Sequence, residues 1–351
     1  MKILGIETSC DETAMSVIGV STGNNIKVLS GIVSSQIKLH AKYGGVVPSL
    51  AAREHVKNIG HVFKLALKEA GIKDLKKEID LIAVTRGPGL GPALLVGITF
   101  ARTIAWLNKK PIIGVNHLEG HICSNWLSPV GNPKSEILNP KEIFPALNLI
   151  VSGGHTELVL MLGHGKYKVI GETVDDAVGE AFDKVARLLG LGYPGGPAVD
   201  KAAKNGNPDK YILPRPMIKS KNYDFSYSGL KTAVLYLLRD LKIENPDEQT
   251  RADIAASFQK AAIEVLIQKT MRAAKEYKVK SVLLSGGVSA NKLLRSELQK
   301  NTTEASLKYF QPQMEYTGDN ATMIAVAGYF TYLKNKKTAS KAVIMDANLG
   351  V

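Results

Sequence analysis

Two stretches of this chain run through the same order of elements, and that repetition limits its possible folds more than any single residue does. The first opens with three strand-like runs, Lys2 to Glu7, Ala14 to Val20 and Lys27 to Val33, separated by turn residues. The second opens with Ala146 to Val151, Glu157 to Leu162 and Lys166 to Gly171. After each set comes helix, a further strand ending in a glycine turn, and helix again. In the first stretch the strand is Leu81 to Thr85, and Gly87-Pro88-Gly89-Leu90-Gly91-Pro92 opens a helix to Asn108. In the second it is Ser281 to Leu284, and Ser285-Gly286-Gly287-Val288-Ser289-Ala290-Asn291 opens a helix to Gln299. This predicts two similar β-rich α/β halves, residues 1–143 and 144–351, with a ligand cleft between them into which both aim glycine turns. Helix N-termini beside glycine loops are ready anion sites.

With 351 residues, 45% of them hydrophobic and 22% charged, the chain can bury two cores and is not a disordered segment. Two cysteines, Cys10 and Cys123, are too few for a disulfide framework and are expected to be reduced, packed as small apolar groups. The opening strand Ile3-Leu4-Gly5-Ile6 has none of the features of a secretion signal, and no apolar run reaches the roughly 20 residues that span a bilayer, so a soluble cytoplasmic protein is expected. A net charge of +13 suits a polyanion such as RNA, although a lysine-rich genome would give the same figure. Ser128 to Glu142 and Asn205 to Ser228 have the composition of exposed inserted loops, and Pro246 to Lys278 carries apolar residues at helical spacing.

The chemistry concentrates in Asn116-His117-Leu118-Glu119-Gly120-His121. Imidazoles four residues apart lie on one face of a helix and can share an ion, although Gly120 weakens the expectation of a regular helix. The order does not match a zincin, in which glutamate directly follows the first histidine. A third ligand must come from far along the chain, and Asp319, in Thr317-Gly318-Asp319-Asn320-Ala321, is the best candidate; its competing role is a helix N-cap. Two imidazoles and a carboxylate suit iron, zinc or manganese. Ser152-Gly153-Gly154 and Ser285-Gly286-Gly287 fall at strand ends where a phosphate can meet backbone N–H groups. Asp183 and Asp200 have the chemistry to accept from ribose hydroxyls, with solvated helix charges as the alternative. Asp11 and Glu12, between the first two strands, suit general acid or base work, and a turn role suits them equally.

The duplicated pattern resembles the actin, Hsp70 and sugar-kinase superfamily, which leaves kinase, ATPase and other nucleotide chemistry open. A closer resemblance spans nearly the whole chain. Gly5-Ile6-Glu7-Thr8-Ser9-Cys10-Asp11-Glu12-Thr13, Gly44-Gly45-Val46-Val47-Pro48, Gly87-Pro88-Gly89, the histidine motif, Ser152-Gly153-Gly154-His155-Thr156, Phe182-Asp183-Lys184, Gly192-Tyr193-Pro194-Gly195-Gly196, Phe225-Ser226-Tyr227-Ser228-Gly229-Leu230-Lys231 and Ser285 to Asn291 follow in order. Together they are similar to the tRNA N6-adenosine threonylcarbamoyltransferase family, once described as O-sialoglycoprotein endopeptidases, and the first loop resembles the bacterial branch.

The resemblance implies transfer of a threonylcarbamoyl group from threonylcarbamoyl-AMP to N6 of adenosine 37 in tRNAs that read codons starting with A. It implies that His117, His121 and Asp319 hold a metal, Fe(2+) first and Zn(2+) second, and that Ile150, Val151, Ser152, Gly153, Gly154, Asp183, Gly196, Asp200 and Asn291 line the adenylate site. It implies as partners a paralogue of the same fold (TsaB-like) and a small ATPase (TsaE-like). Lys38, His40, Lys42 and Arg53 are RNA-contact candidates, and the helix from His55 to Ala70 is a candidate surface for the paralogue. Ser128 to Glu142 is longer than in many relatives. The alternatives are a small-molecule kinase or ATPase, which needs no histidine pair, and a non-catalytic paralogue, which is expected to lack one of the three metal residues.

Overall fold

The computed structural model describes residues 1–21, 25–127, 140–243, 245–334 and 342–351. It divides into two compact units. The first contains β1 (Lys2–Glu7), β2 (Glu12–Val20), β3 (Ile26–Ser35), α1 (Ile37–His40), α2 (Pro48–Glu69), α3 (Leu75–Glu78), β4 (Leu81–Gly87), α4 (Gly91–Asn108), β5 (Ile112–Asn116) and α5 (His117–Cys123). The second contains α6 (Pro140–Ile143), β6 (Ala146–Val151), β7 (Thr156–Gly163), β8 (Lys166–Glu172), α7 (Val178–Leu188), α8 (Gly195–Ala203), α9 (Ser228–Asp240), α10 (Glu248–Glu276), β9 (Ser281–Ser285), α11 (Lys292–Glu304) and β10 (Lys308–Phe310). The chain then re-enters the first unit with α12 (Ala321–Lys334).

The duplication is present at the level of topology. The first sheet has the order β3-β2-β1-β4-β5 and the second the equivalent β8-β7-β6-β9-β10. In each, the leading strand pairs antiparallel with its successor and parallel with the strand that follows the helices.

The boundary differs from a division at residue 143. Residues 312–351 belong to the first unit, because α12 is apolar over most of its surface and covers the sheet face that α2 and α4 leave open. Strand alternation makes this necessary: Leu4 and Ile6 point to the α2 and α4 side, whereas Ile3 points to the α12 side. Burying both faces takes helices from two distant parts of the sequence. Of the predicted insertion at Ser128 to Glu142, residues 128–139 lie outside the described residues. In the second unit a single core gathers β6, β7 and β9 with α7, α9 and the 29-residue α10.

Candidate metal centre and nucleotide site

The histidine motif forms a real helix. Asn116 ends β5 and caps α5, its Oδ1 accepting from the N–H of Leu118 at 2.8 Å and of Glu119 at 3.3 Å. Gly120, which argued against helix, is explained by packing. A Cβ there would stand 2.7 Å from Ile324 Cδ1, so the glycine lets α12 lie directly against α5. That approach brings the start of α12 to the two imidazoles. Asn320, not Asp319, caps α12, its Oδ1 accepting from Met323 N–H at 2.9 Å. The carboxylate of Asp319 is therefore free of the capping role that competed with ligation.

His117 Nε2 and His121 Nε2 lie 3.4 and 3.2 Å from the same Asp319 oxygen, and one donor atom from each of the three residues falls within 4.8 Å of the others. The rings meet edge to face, with centroids 4.7 Å apart. Among the described residues neither nitrogen of the buried His121 makes a hydrogen bond of good geometry: Nδ1 faces no acceptor or donor, and Nε2 meets only the Asp319 oxygen, at 3.2 Å. Leaving such a polar group unpaired costs about 1–3 kcal/mol. A two-histidine, one-carboxylate donor set with an orphaned buried nitrogen fits a divalent transition-metal ion.

Behind the ligands stands a residue that the motif reading missed. Glu7, fully buried, accepts from His117 Nδ1 at 3.0 Å and from Thr85 Oγ1 at 2.6 Å through one oxygen, and from the Ser9 N–H through the other. Ser9 Oγ also lies 3.2 Å from His117 Nδ1. This arrangement holds a proton on Nδ1, so that Nε2 would be the atom to meet an ion, as in carboxylate–histidine–metal triads. The one available sequence signal was a lone carboxylate at the end of an otherwise buried strand. Burial opposes charge on His117, but the carboxylates of Asp319 and Glu7 outweigh it and hold its pKa well above the ordinary value; Asp319 is correspondingly held well below the carboxylate range, its own burial overcome by the two histidines.

Asp11 and Glu12 sit beside this centre. Among the described residues Asp11 Oδ2 is buried without a hydrogen-bond partner of good geometry, with Cys10 and Glu12 beside its carboxylate, and Glu12 accepts from Ser35 Oγ at 3.1 Å. Burial, followed by the charges of Asp319 and Asp11, pushes Glu12 well above the usual carboxylate range. Cys10 is pushed up by burial first and then by the same carboxylates, and Cys123 by burial; both are free thiols held in the protonated form. His40 is not an RNA contact. It is fully buried, bonded through Nε2 to Gln36 Oε1 at 3.1 Å and through Nδ1 to the Val47 N–H at 3.2 Å. Lys38, Lys42 and Arg53 are exposed.

In the second unit the glycines divide into two kinds. Gly286 has φ of 90°, and a Cβ would overlap the carbonyl oxygen of Val151. Gly179 would meet the carbonyl of Ser152, so the start of α7 is pressed against the Ser152-Gly153-Gly154 turn. The fold requires both of these. Gly153, Gly154, Gly196 and Gly287 instead have nothing within 4 Å of the Cβ position and no left-handed φ. Four glycines that packing does not demand, set around strand ends and the starts of α7 and α8, leave bare backbone for a ligand.

The remaining candidates have varied surroundings. Ile150 and Val151 are fully buried with their side chains in the core, so any part they take in such a site falls to their backbone at the end of β6. Ser152 Oγ accepts from the Gly154 and His155 N–H groups at 3.3 and 3.0 Å and shapes the turn. Asp183 Oδ1 accepts from the Gly195 N–H at 2.7 Å, tying α7 to α8, and burial raises its pKa. Asn291 caps α11 at Leu294 and donates to Gln259 Oε1 at 2.8 Å. Asp200 is half-buried on α8.

Solved structures with this architecture include HypF from T. kodakarensis, with TM-score 0.58 and 17% identity over 95% of this chain and 47% of that one. An activator of 2-hydroxyisocaproyl-CoA dehydratase from Clostridium difficile, solved with ADPNP, gives 0.52 and 11% over the full length of both chains. These likenesses establish the duplicated actin-like, sugar-kinase-like fold. The family model for TsaD, tRNA N6-adenosine threonylcarbamoyltransferase, matches residues 27–326. A tRNA N6-adenosine threonylcarbamoyltransferase of Thermosipho africanus is 51% identical over 95% of each chain, and one of Thermomicrobium roseum is 50% identical over all of this chain and 95% of its own. This chain belongs to the tRNA N6-adenosine threonylcarbamoyltransferase family and is a transferase that forms threonylcarbamoyladenosine in tRNA.

Proposed function

We propose that the donor is threonylcarbamoyl-AMP and the acceptor N6 of adenosine 37 in tRNAs that read codons beginning with A. The N6 lone pair forms a bond to the carbamoyl carbon, the bond from that carbon to the phosphate oxygen breaks, AMP leaves with the electron pair, and N6 gives up one proton. The adenine amine is a weak nucleophile because its lone pair is delocalised into the ring. Positioning and charge stabilisation therefore contribute more than any single base.

The observation that carries this reading is the convergence of His117, His121 and Asp319 on one point, a donor set for which phosphoryl transfer on this fold has no use. These residues would hold a divalent ion, Fe(2+) by preference and Zn(2+) second, which supplies Lewis-acid stabilisation of donor oxygens when bound. Glu7 keeps His117 in the ligating tautomer. Gly153, Gly154 and Gly196 offer backbone to the adenylate, Asp183 and Asp200 oxygen atoms to its ribose, and Ser152 and Asn291 hold their loops in shape. Asp11, with its unpartnered oxygen, receives the N6 proton, and Glu12 stays neutral beside it. Lys38, Lys42 and Arg53 meet tRNA phosphates. The exposed face of α2, with Val56 and Leu65, suits a paralogue of the same fold, with a small ATPase completing a cytoplasmic assembly.

The test is mass spectrometry of nucleosides from such a tRNA, incubated with this chain, its partners, threonine, bicarbonate, ATP and the adenylate-forming enzyme. Threonylcarbamoyladenosine appearing only when this chain is present supports the assignment. Its absence while the donor is demonstrably made overturns it.

A further inference from the structure

The segment 342–351 runs back along the supports of the metal centre. Val343 is buried among β1, α2 and α4 side chains. Beyond it, the Asp346 N–H donates to Arg86 O at 2.8 Å, the Gly89 N–H donates to Ala347 O at 3.1 Å, and Asn116 Nδ2 donates to Gly350 O at 2.8 Å. Two of these contacts lead to His117. Gly89 lies against Ser9, where a Cβ would stand 2.7 Å from its carbonyl oxygen, and Ser9 Oγ touches His117 Nδ1. Asn116 directly precedes His117 and caps the helix that carries both imidazoles.

The amide of Asn116 has a defined orientation. Its oxygen is fixed by two N–H donors at the start of α5, so its nitrogen must face the Gly350 carbonyl. A side chain that accepts on one side and donates on the other couples two elements that an ordinary cap would leave independent. At 8% exposure, Asn116 has little water to replace either partner. The choice of residue type carries information: aspartate or serine would cap α5 equally well, but neither pairs an acceptor for two N–H groups with a fixed donor to a carbonyl.

We propose that Asn116 is a positioning residue for the metal centre, and that the segment 342–351, through the Gly350 carbonyl, is part of the scaffold that sets the angle of α5 and hence of His117 and His121. The proposal rests on the metal assignment of His117, His121 and Asp319. Removing a partner that orients metal ligands costs roughly 10–100-fold in metal affinity, and this contact acts one step further back, so a loss near the lower figure is expected.

The experiment is a competition titration of the metal-free full chain with Zn(2+), read by a chromophoric chelator, alongside thermal melting without metal. Three variants are compared: Asn116→Asp, which keeps the cap but sets a carboxylate oxygen against the Gly350 carbonyl; a chain ending at Asn348, which lacks Gly350 but retains Val343 and Met345 in the core and the Ala347 carbonyl that accepts from Gly89; and the two combined. Each single variant is expected to bind Zn(2+) about tenfold more weakly with a melting temperature close to wild type, and the combination no more weakly than either, because both act through one contact. Wild-type affinity in both single variants, or losses that multiply in the combination, overturns the proposal. Failure of the unaltered chain to bind Zn(2+) or Fe(2+) would instead refute the underlying metal assignment, a distinguishable result.

Discussion

Glu7→Gln tests the centre with the smallest change of shape. Glu7 receives three donors: the Ser9 N–H on one oxygen, and Thr85 Oγ1 and His117 Nδ1 on the other. Glutamine has one acceptor oxygen. If that oxygen stays with Thr85 and His117, the new NH2 group confronts the Ser9 N–H, leaving a buried donor unpaired at about 1–3 kcal/mol. If the amide turns over, the NH2 group faces His117 Nδ1, which must then accept; the proton moves to Nε2 and the ligating lone pair is lost. The first outcome lowers stability, and the second lowers metal affinity. Both forms are populated according to their relative energies, so a Zn(2+) affinity loss of roughly 10–100-fold, about 1.4–2.7 kcal/mol, is expected. The accompanying loss of stability is small against a typical total of about 5–15 kcal/mol, so the variant folds. Chelator competition measures the affinity and thermal melting of metal-free protein the stability. A variant that melts lower but binds Zn(2+) as tightly as wild type would show that Glu7 serves folding alone and would refute the triad argument.

Other expectations follow from the same geometry. In metal-free protein His117 has a pKa raised above its ordinary 6.5, so the stability it contributes is full below that value and is lost as pH rises through the folded value. The metal-free melting temperature is thus expected to fall on the alkaline side. Metal must displace the Nε2 proton, so Zn(2+) affinity is expected to rise up to about tenfold per pH unit below that pKa, with proton release visible in calorimetry in buffers of different ionisation enthalpy. Flat affinity over that range would count against it. Gly286→Ala, forced to φ of 90° and into the Val151 carbonyl, is expected to cost roughly 2 kcal/mol or more in chemical denaturation. Gly153→Ala, with nothing near its Cβ position, is expected to leave stability within about 0.5 kcal/mol while weakening binding of a non-hydrolysable adenylate; a large stability loss would remove the argument for a ligand there. Charge reversal of Lys38, Lys42 and Arg53 together is expected to weaken tRNA binding and reduce its salt dependence, whereas His40→Ala is expected to lower the melting temperature; an unchanged salt slope would exclude these cations as phosphate contacts.

What was legible in the sequence had a period or a fixed spacing. The repeated order of strands and helices has a local signature: each of the eight strands expected from alternation and turn residues is present with its ends within two residues, whereas the edge strands β5 and β10 were not foreseen. The division into contiguous halves went astray at α12 for a physical reason. A helix that is apolar nearly all round announces burial without stating which sheet will bury it, and the answer depends on the open face of β1, β2, β4 and β5 more than two hundred residues earlier. His40 illustrates a different limit: a histidine between lysines has a basic-surface composition, and only the local path of the chain, which sets Gln36 and the Val47 N–H against its ring, turns it inward.

The metal centre divides along the same line. The three candidate ligands were within reach of the sequence because His117 and His121 obey helical spacing and Asp319 precedes a helix, and the structure brings their donor atoms together. Their supports were not, since Glu7, Thr85, Asn116 and Gly350 come from four separate segments and none is an unusual residue where it stands. Gly120 is the instructive case. Read along the chain it weakens a helix; read in three dimensions it is the gap through which Ile324 approaches, and that approach is what carries Asp319 to the histidines. A side chain at position 120 would therefore improve the local helix propensity of α5 by about 1 kcal/mol and press on the buried side chains of Ile324 and Met323, which follow Asp319 in α12. Gly120→Ala distinguishes the two effects in one variant: if local propensity governs, metal affinity is retained or improved, and if the α5–α12 contact governs, affinity falls while the imidazoles themselves are unchanged. With the Cβ position 2.7 Å from Ile324 Cδ1, and Met323 Cγ at 3.2 Å behind it, the second outcome is expected.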